Sequence, residues 1–138
     1  MQTFELIADK LQDILPQGWN KVVFYAEVTD DSYEMFYYVF TSEREAPIQC
    51  YDLPDLYEID EEQIDAVFEE LYEPLREERT SLIAEEKEPW TNYTLVLTDD
   101  GHFKVDFDFT SLEDGGYEYR KLWKEKYLID KKENGDAS

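Results

Sequence analysis

The chain has 138 residues, a length that suits one domain with a real hydrophobic core. Apolar residues make up 42% and aromatics 16%, too many for a disordered acidic chain. Thirteen Lys and Arg face thirty-five Asp and Glu, giving a formal charge of −22 that argues against nucleic acid and anionic membrane as partners.

Such a surface attracts basic proteins over roughly one Debye length, about 10 Å at 0.1 M salt. Acidic surfaces also keep proteins soluble, but net charges of about 2–8 suffice for that in a small domain. The single cysteine, Cys50, excludes an internal disulfide framework. The first residues, Met1-Gln2-Thr3-Phe4-Glu5, lack the basic and apolar regions of a signal peptide. No run approaches the ~18 apolar residues that a membrane span needs. The expected location is therefore the cytoplasm.

In chain order, Phe4, Ile7, Ala8, Leu11, Ile14 and Leu15 recur at helical spacing, and Pro16 and Gly18 stop that helix. Lys21 to Val28 and Tyr33 to Phe40 read as a hairpin joined by Thr29-Asp30-Asp31-Ser32. Aromatics fall on both faces of the second strand, so either both faces are covered or one offers aromatics to a partner. A short third strand is expected near Pro47 to Tyr51. Asp60 and Gln63 form a capping box ahead of a second helix. Its apolar stripe is Ile64, Val67, Phe68, Leu71 and Leu75. Pro74 predicts a kink or break near residue 70, with helix resuming to about Ala84.

Tyr93, Leu95 and Leu97 then alternate with Thr94, Val96 and Thr98, and Phe103, Val105, Phe107 and Phe109 alternate with Lys104, Asp106 and Asp108. The intervening Asp100-Gly101 suits a type I′ turn, and each strand is expected to have one buried and one wet face. A loop through Gly115 and Gly116 leads to a last helix, about Tyr117 to Leu128. The expected fold class is α+β: an antiparallel sheet of four to five strands, helices packed mainly on one face, order α-β-β-(β)-α-β-β-α. Residues 1–129 read as a single domain and 130–138 as a polar, flexible tail.

The acidic segment Asp52 to Glu88 is the strongest candidate site. It holds fifteen acidic residues against Arg76, Arg79 and Lys87, a balance of −12. Glu62, Glu69, Glu70, Glu73 and Glu77 fall opposite the apolar stripe. Like charges at i,i+4, as in Glu69, Glu73 and Glu77, cost roughly 0.2–0.5 kcal/mol per pair. The row spans about 22 Å at 1.5 Å per residue. Its plain alternative is a solvated helix face, which normally mixes both signs. Nearby Tyr51, Leu53 and Tyr57 would be apolar anchors for a partner if exposed, and would merely seat their loop if buried.

Other constellations are weaker. Asp106 and Asp108 share a strand face and, with His102, could suggest a metal-dependent hydrolase. The spacings typical of metal sites are missing, and the wet face of a hairpin strand is the plainer reading. Cys50 reads as a structural thiol. Trp19, Trp90 and Trp123 read as core. Nothing in the sequence calls for a cofactor, a metal or a catalytic residue.

Four blocks carry a resemblance to a known family. They are Leu15-Pro16-x-x-Trp19, Glu88-Pro89-Trp90, Lys104-Val105-Asp106-Phe107-Asp108-Phe109, and Tyr119-Arg120-x-x-Trp123-x-x-Lys126-Tyr127-Leu128. In order and spacing they resemble the YezG-like immunity proteins, which include the EsaG type of antitoxin. The resemblance implies a cytoplasmic, non-enzymatic antitoxin that silences the nuclease domain of an LXG toxin exported by type VII secretion. The toxin's basic nucleic-acid groove would be a complement for the acidic row, and the partner-binding residues read from the sequence are Glu62, Glu69, Glu70, Glu73, Glu77, Tyr51, Leu53 and Tyr57. An acidic DNA mimic that regulates a DNA-binding protein is the alternative from a different class. The oligomeric state stays open.

Overall fold

The computed structural model describes residues 3–112 and 116–129. Helix α1 (Thr3–Leu11) runs into a short 3-10 turn (Gln12–Ile14), then β1 (Trp19–Val28) and β2 (Tyr33–Thr41) form the first hairpin. A two-residue strand, β3 (Ile48–Gln49), precedes a 3-10 turn and the single-turn helix α2 (Leu53–Leu56). The long helix α3 (Glu61–Ala84) follows, then the hairpin β4 (Asn92–Thr98) and β5 (Phe103–Asp108), and last α4 (Tyr117–Tyr127). The strands make one antiparallel sheet in the order β3-β2-β1-β4-β5. This is the expected α+β architecture with five strands. Gly115 and the tail 130–138 lie outside the described residues.

The sheet's two faces are built differently. Phe24, Tyr37, Leu95 and their period-2 neighbours face α1 and α3. Phe68 of α3 meets Phe24 at 6.5 Å and Tyr37 at 6.0 Å between ring centroids. The stripe Ile64, Val67, Phe68, Leu71 and Leu75 is buried along its whole length. Tyr37 donates its hydroxyl to the Ile14 carbonyl at 2.7 Å, which ties α1's end to the same layer.

The opposite face carries Tyr25, Phe36, Asn92 and Thr94, and α4 covers it. Trp123 lies 5.0 Å from Tyr25 and 5.4 Å from Phe36, ring to ring, and donates Nε1–H to Thr94 Oγ1 at 2.9 Å. Both faces of β2 are therefore covered, so Phe36 and Tyr37 alike are core.

Three local expectations are corrected. First, α3 runs unbroken through Pro74. The carbonyl deprived of its donor is that of Glu70, an exposed residue where water can serve it, and buried Leu71 and Leu75 hold the helix on the sheet either side. Second, β4 has no wet face, since Asn92 and Thr94 are buried beneath α4. On β5 the phenylalanines are the exposed side: Phe103 is 52% and Phe107 48% exposed, while Asp106 is half-buried. Third, the β4–β5 turn is not type I′, which requires positive φ at both central residues. Gly101 alone has it there, at 90°, and donates its N–H to Thr98 C=O at 3.0 Å.

Candidate functional site: the acidic face of the long helix

The capping box is formed as read: Asp60 caps the start of α3, and the Gln63 side chain accepts from the Asp60 N–H at 2.9 Å. That start fixes the helix's rotation. With the apolar stripe turned to the sheet, Glu62, Glu69, Glu70, Glu73 and Glu77 are all left exposed. Two of them have cationic partners. Lys10 of α1 reaches Glu70 at 3.0 Å, and Arg76 pairs with Glu73 at 2.9 Å. Glu62, Glu69 and Glu77 have no ion pair among the described residues. Exposed pairs contribute only about 0–1 kcal/mol each, so they dilute the row's field more than they stabilise the fold.

The loop before α3 divides the three apolar candidates. Leu53, the first residue of α2, is wholly buried in the hydrophobic core and seats the loop. Tyr57 is half-buried against the core. Tyr51 is 38% exposed, packs its ring 6.3 Å from Phe68, and donates its hydroxyl to Asp65 at 2.7 Å. Burial and the Asp65 carboxylate both push the Tyr51 hydroxyl's pKa up, so it stays a donor.

The fold adds two tyrosines that the sequence reading missed. Tyr33, at the start of β2, packs its ring 4.9 Å from that of Tyr72 of α3, tilted by 38°, and Tyr72 donates to the Thr29 carbonyl at 3.0 Å. Burial raises the Tyr33 pKa, with further contributions from Glu69 and Asp65. Tyr33, Tyr51, Asp65 and Glu69 thus stand together beside the first half of the row, mixing amphipathic rings with carboxylates. The contacts join residues far apart in the chain. Only the tyrosine enrichment itself could have flagged them.

The other sequence candidates serve the fold. Asp106 accepts from the Tyr127 hydroxyl of α4. Burial pushes the Asp108 carboxyl up, but hydrogen bonds led by Thr110 outweigh it and leave its pKa lowered. Asp106 and Asp108 are therefore half-buried acceptors and not a wet strand face. His102 instead pairs with exposed Asp100 at 3.0 Å. Among the described residues, no group of three or more His, Cys, Asp or Glu could hold a metal ion. Cys50 is fully buried, and burial pushes its thiol up to about 12, so it is not a thiolate at neutral pH. No described helix is long and apolar enough to cross a membrane.

Fold and site together define a small α+β domain whose main surface feature is a carboxylate row flanked by tyrosines. The description "Immunity protein YezG-like" fits residues 1–136 as a family, and the chain belongs to that family. It is 34% identical over 128 residues to immunity protein YezG of Bacillus subtilis (strain 168), covering 91% of this chain and 85% of that one. Immunity protein YezG of Bacillus spizizenii is 28% identical, covering 91% and 80%. The type VII secretion system protein EsaG of Staphylococcus aureus is 30% identical over 104 residues, covering 75% of this chain and 63% of its own length.

Proposed function

We propose that this immunity-family protein acts in the cytoplasm by binding the nuclease domain of a cognate LXG toxin exported by type VII secretion. It would enter the toxin's basic nucleic-acid groove with the acidic face of α3. The observation that carries this reading is that Glu62, Glu69 and Glu77 are exposed on one helix and have no cationic partner among the described residues. Unrelieved like charge on a folded surface costs stability, and a cationic cleft turns that cost into attraction. Glu70, Glu73 and Tyr51 would complete the contact. Inhibition would follow from occupation of the groove.

The test uses the C-terminal nuclease domain of an LXG toxin from the same organism. Glu69→Lys combined with Glu73→Lys is expected to slow association at least tenfold at low salt, with the difference closing as salt rises. Protection of cells against the toxin should fall in parallel. Association rates that ignore both salt and charge reversal would count against this mechanism.

A further inference from the structure

The apolar stripe of α3 does not end at Leu75. At the same i+3 and i+4 spacing it continues through Glu78 to Leu82, so a carboxylate occupies a position that the pattern reserves for an apolar side chain. There the stripe passes beyond the central strands and faces β5. Between them runs a groove of about 460 Å³ lined by Glu78, Leu82, Lys87, Glu88, Trp90, Phe107 and Phe109.

Its floor is a packed aromatic cluster. Trp90 lies 5.5 Å from Tyr93 and 6.3 Å from Phe107, and Phe107 lies 5.2 Å from Tyr93. Its rim is open: Phe107 is 48% and Phe109 47% exposed. Burial is favourable in proportion to the apolar area removed from water, so covering both rings is a driving force for docking. Two lining residues also carry enclosed polar atoms with no hydrogen-bond partner among the described residues, Trp90 Nε1 and Glu78 Oε1. One is a donor and the other an acceptor. Buried polar groups are nearly always satisfied, so this pair marks an incomplete surface.

The geometry points to a docking site for a partner segment that presents an apolar side chain next to an arginine or lysine. The apolar group would lie between Phe107 and Phe109 above Trp90, and the cation would reach Glu78. Lys87 also lines the groove but is paired with Glu85 at 3.2 Å, so the two lining carboxylates, Glu78 and Glu88, leave the groove with a net preference for positive charge. A second copy of this chain would bring another −22 to the interface. A basic partner fits and a copy does not. The inference rests on the toxin-binding reading and deepens it. The carboxylate row would govern approach, and this groove, more than a third of a turn around α3 from the row's centre at about 100° per residue, would govern residence.

Dissociation of the full chain from a catalytically inactive form of the same toxin domain tests this. Phe109→Ala removes an exposed ring just beyond β5, and Glu78→Gln keeps shape while removing charge. Each is expected to speed dissociation tenfold or more while association stays within about twofold. Circular dichroism would check that both variants remain folded. Unchanged dissociation in folded variants of a chain that does bind the toxin overturns the groove alone. Failure of the unaltered chain to bind overturns the toxin-binding reading, and the groove's role with it. A dimer of the unaltered chain that Phe109→Ala dissociates would assign the groove to self-association and overturn the inference.

Discussion

Neighbouring residues in the loop before α3 have opposite roles, and substitution should separate them. Leu53 is fully buried, so Leu53→Ala should cost about 2–5 kcal/mol in urea unfolding. Tyr51→Ala should cost much less and should act on partner binding instead. A large stability loss at Tyr51 with little effect on binding would remove it from the interface. Asp100 offers a pH test. Hydrogen bonds from Thr98 and His102 hold its carboxyl at about 2, below the ordinary value. A depressed folded-state pKa stabilises above the unfolded value of about 3.9 and loses that contribution as pH falls to about 2. The advantage of the native chain over Asp100→Asn should therefore be present at neutral pH and close between about pH 4 and 2, read by circular dichroism. At this scale the capping box was legible because Asp60 and Gln63 are local partners. The fates of Leu53 and Tyr51 were not, because they depend on where α3 lies.

Among the elements, α3 is the one with strain to release. It tolerates Pro74 at an interior position, where proline costs about 3 kcal/mol relative to alanine. Pro74→Ala should raise stability by about 1–2 kcal/mol, since some packing is lost with the ring; a drop would mean that Pro74 is needed for α3's fit on the sheet. The helix ends in a Schellman arrangement, with Lys87 N–H donating to Leu82 C=O at 2.8 Å and Glu86 N–H to Ile83 C=O at 3.0 Å. Glu86 sits there at φ 62°, a conformation that favours glycine. Glu86→Gly should gain about 1 kcal/mol, measured by thermal unfolding. Both hairpins and the α3 stripe were legible from periodicity. The role of α4 was not, because Trp123 is its one buried residue, too little apolar pattern to reveal that it roofs a sheet face. That omission is why the Thr94 and Asp106 faces were read as wet.

Across the molecule, charge is sorted by layer. Helix α3 carries eight acidic residues and two arginines, whereas α4, on the other side of the sheet, carries four basic residues and two acidic ones. Helix α3 thus carries −6 of the −22, while α4 runs against the trend at +2. Self-repulsion at −22 should make the isolated protein more stable in salt, with Tm rising by several degrees as the Debye length falls from ~30 Å at 0.01 M to ~3 Å at 1 M. A flat or falling Tm would mean that local pairs such as Glu27 with Arg120, at 2.6 Å, outweigh the general repulsion. Composition foretold the sign of the surface. It could not foretell the groove beside β5, which exists only because two distant segments meet.

The covering of the sheet's second face by Trp123 also bears on how the chain is made. Until that residue leaves the ribosome, Tyr25, Phe36 and Thr94 on strands already synthesised have no roof. A nascent chain arrested at Gly116 should therefore be sticky and prone to capture by chaperones, while one extended past Tyr127 should resist protease. Equal resistance in both would show that the sheet closes without its last helix.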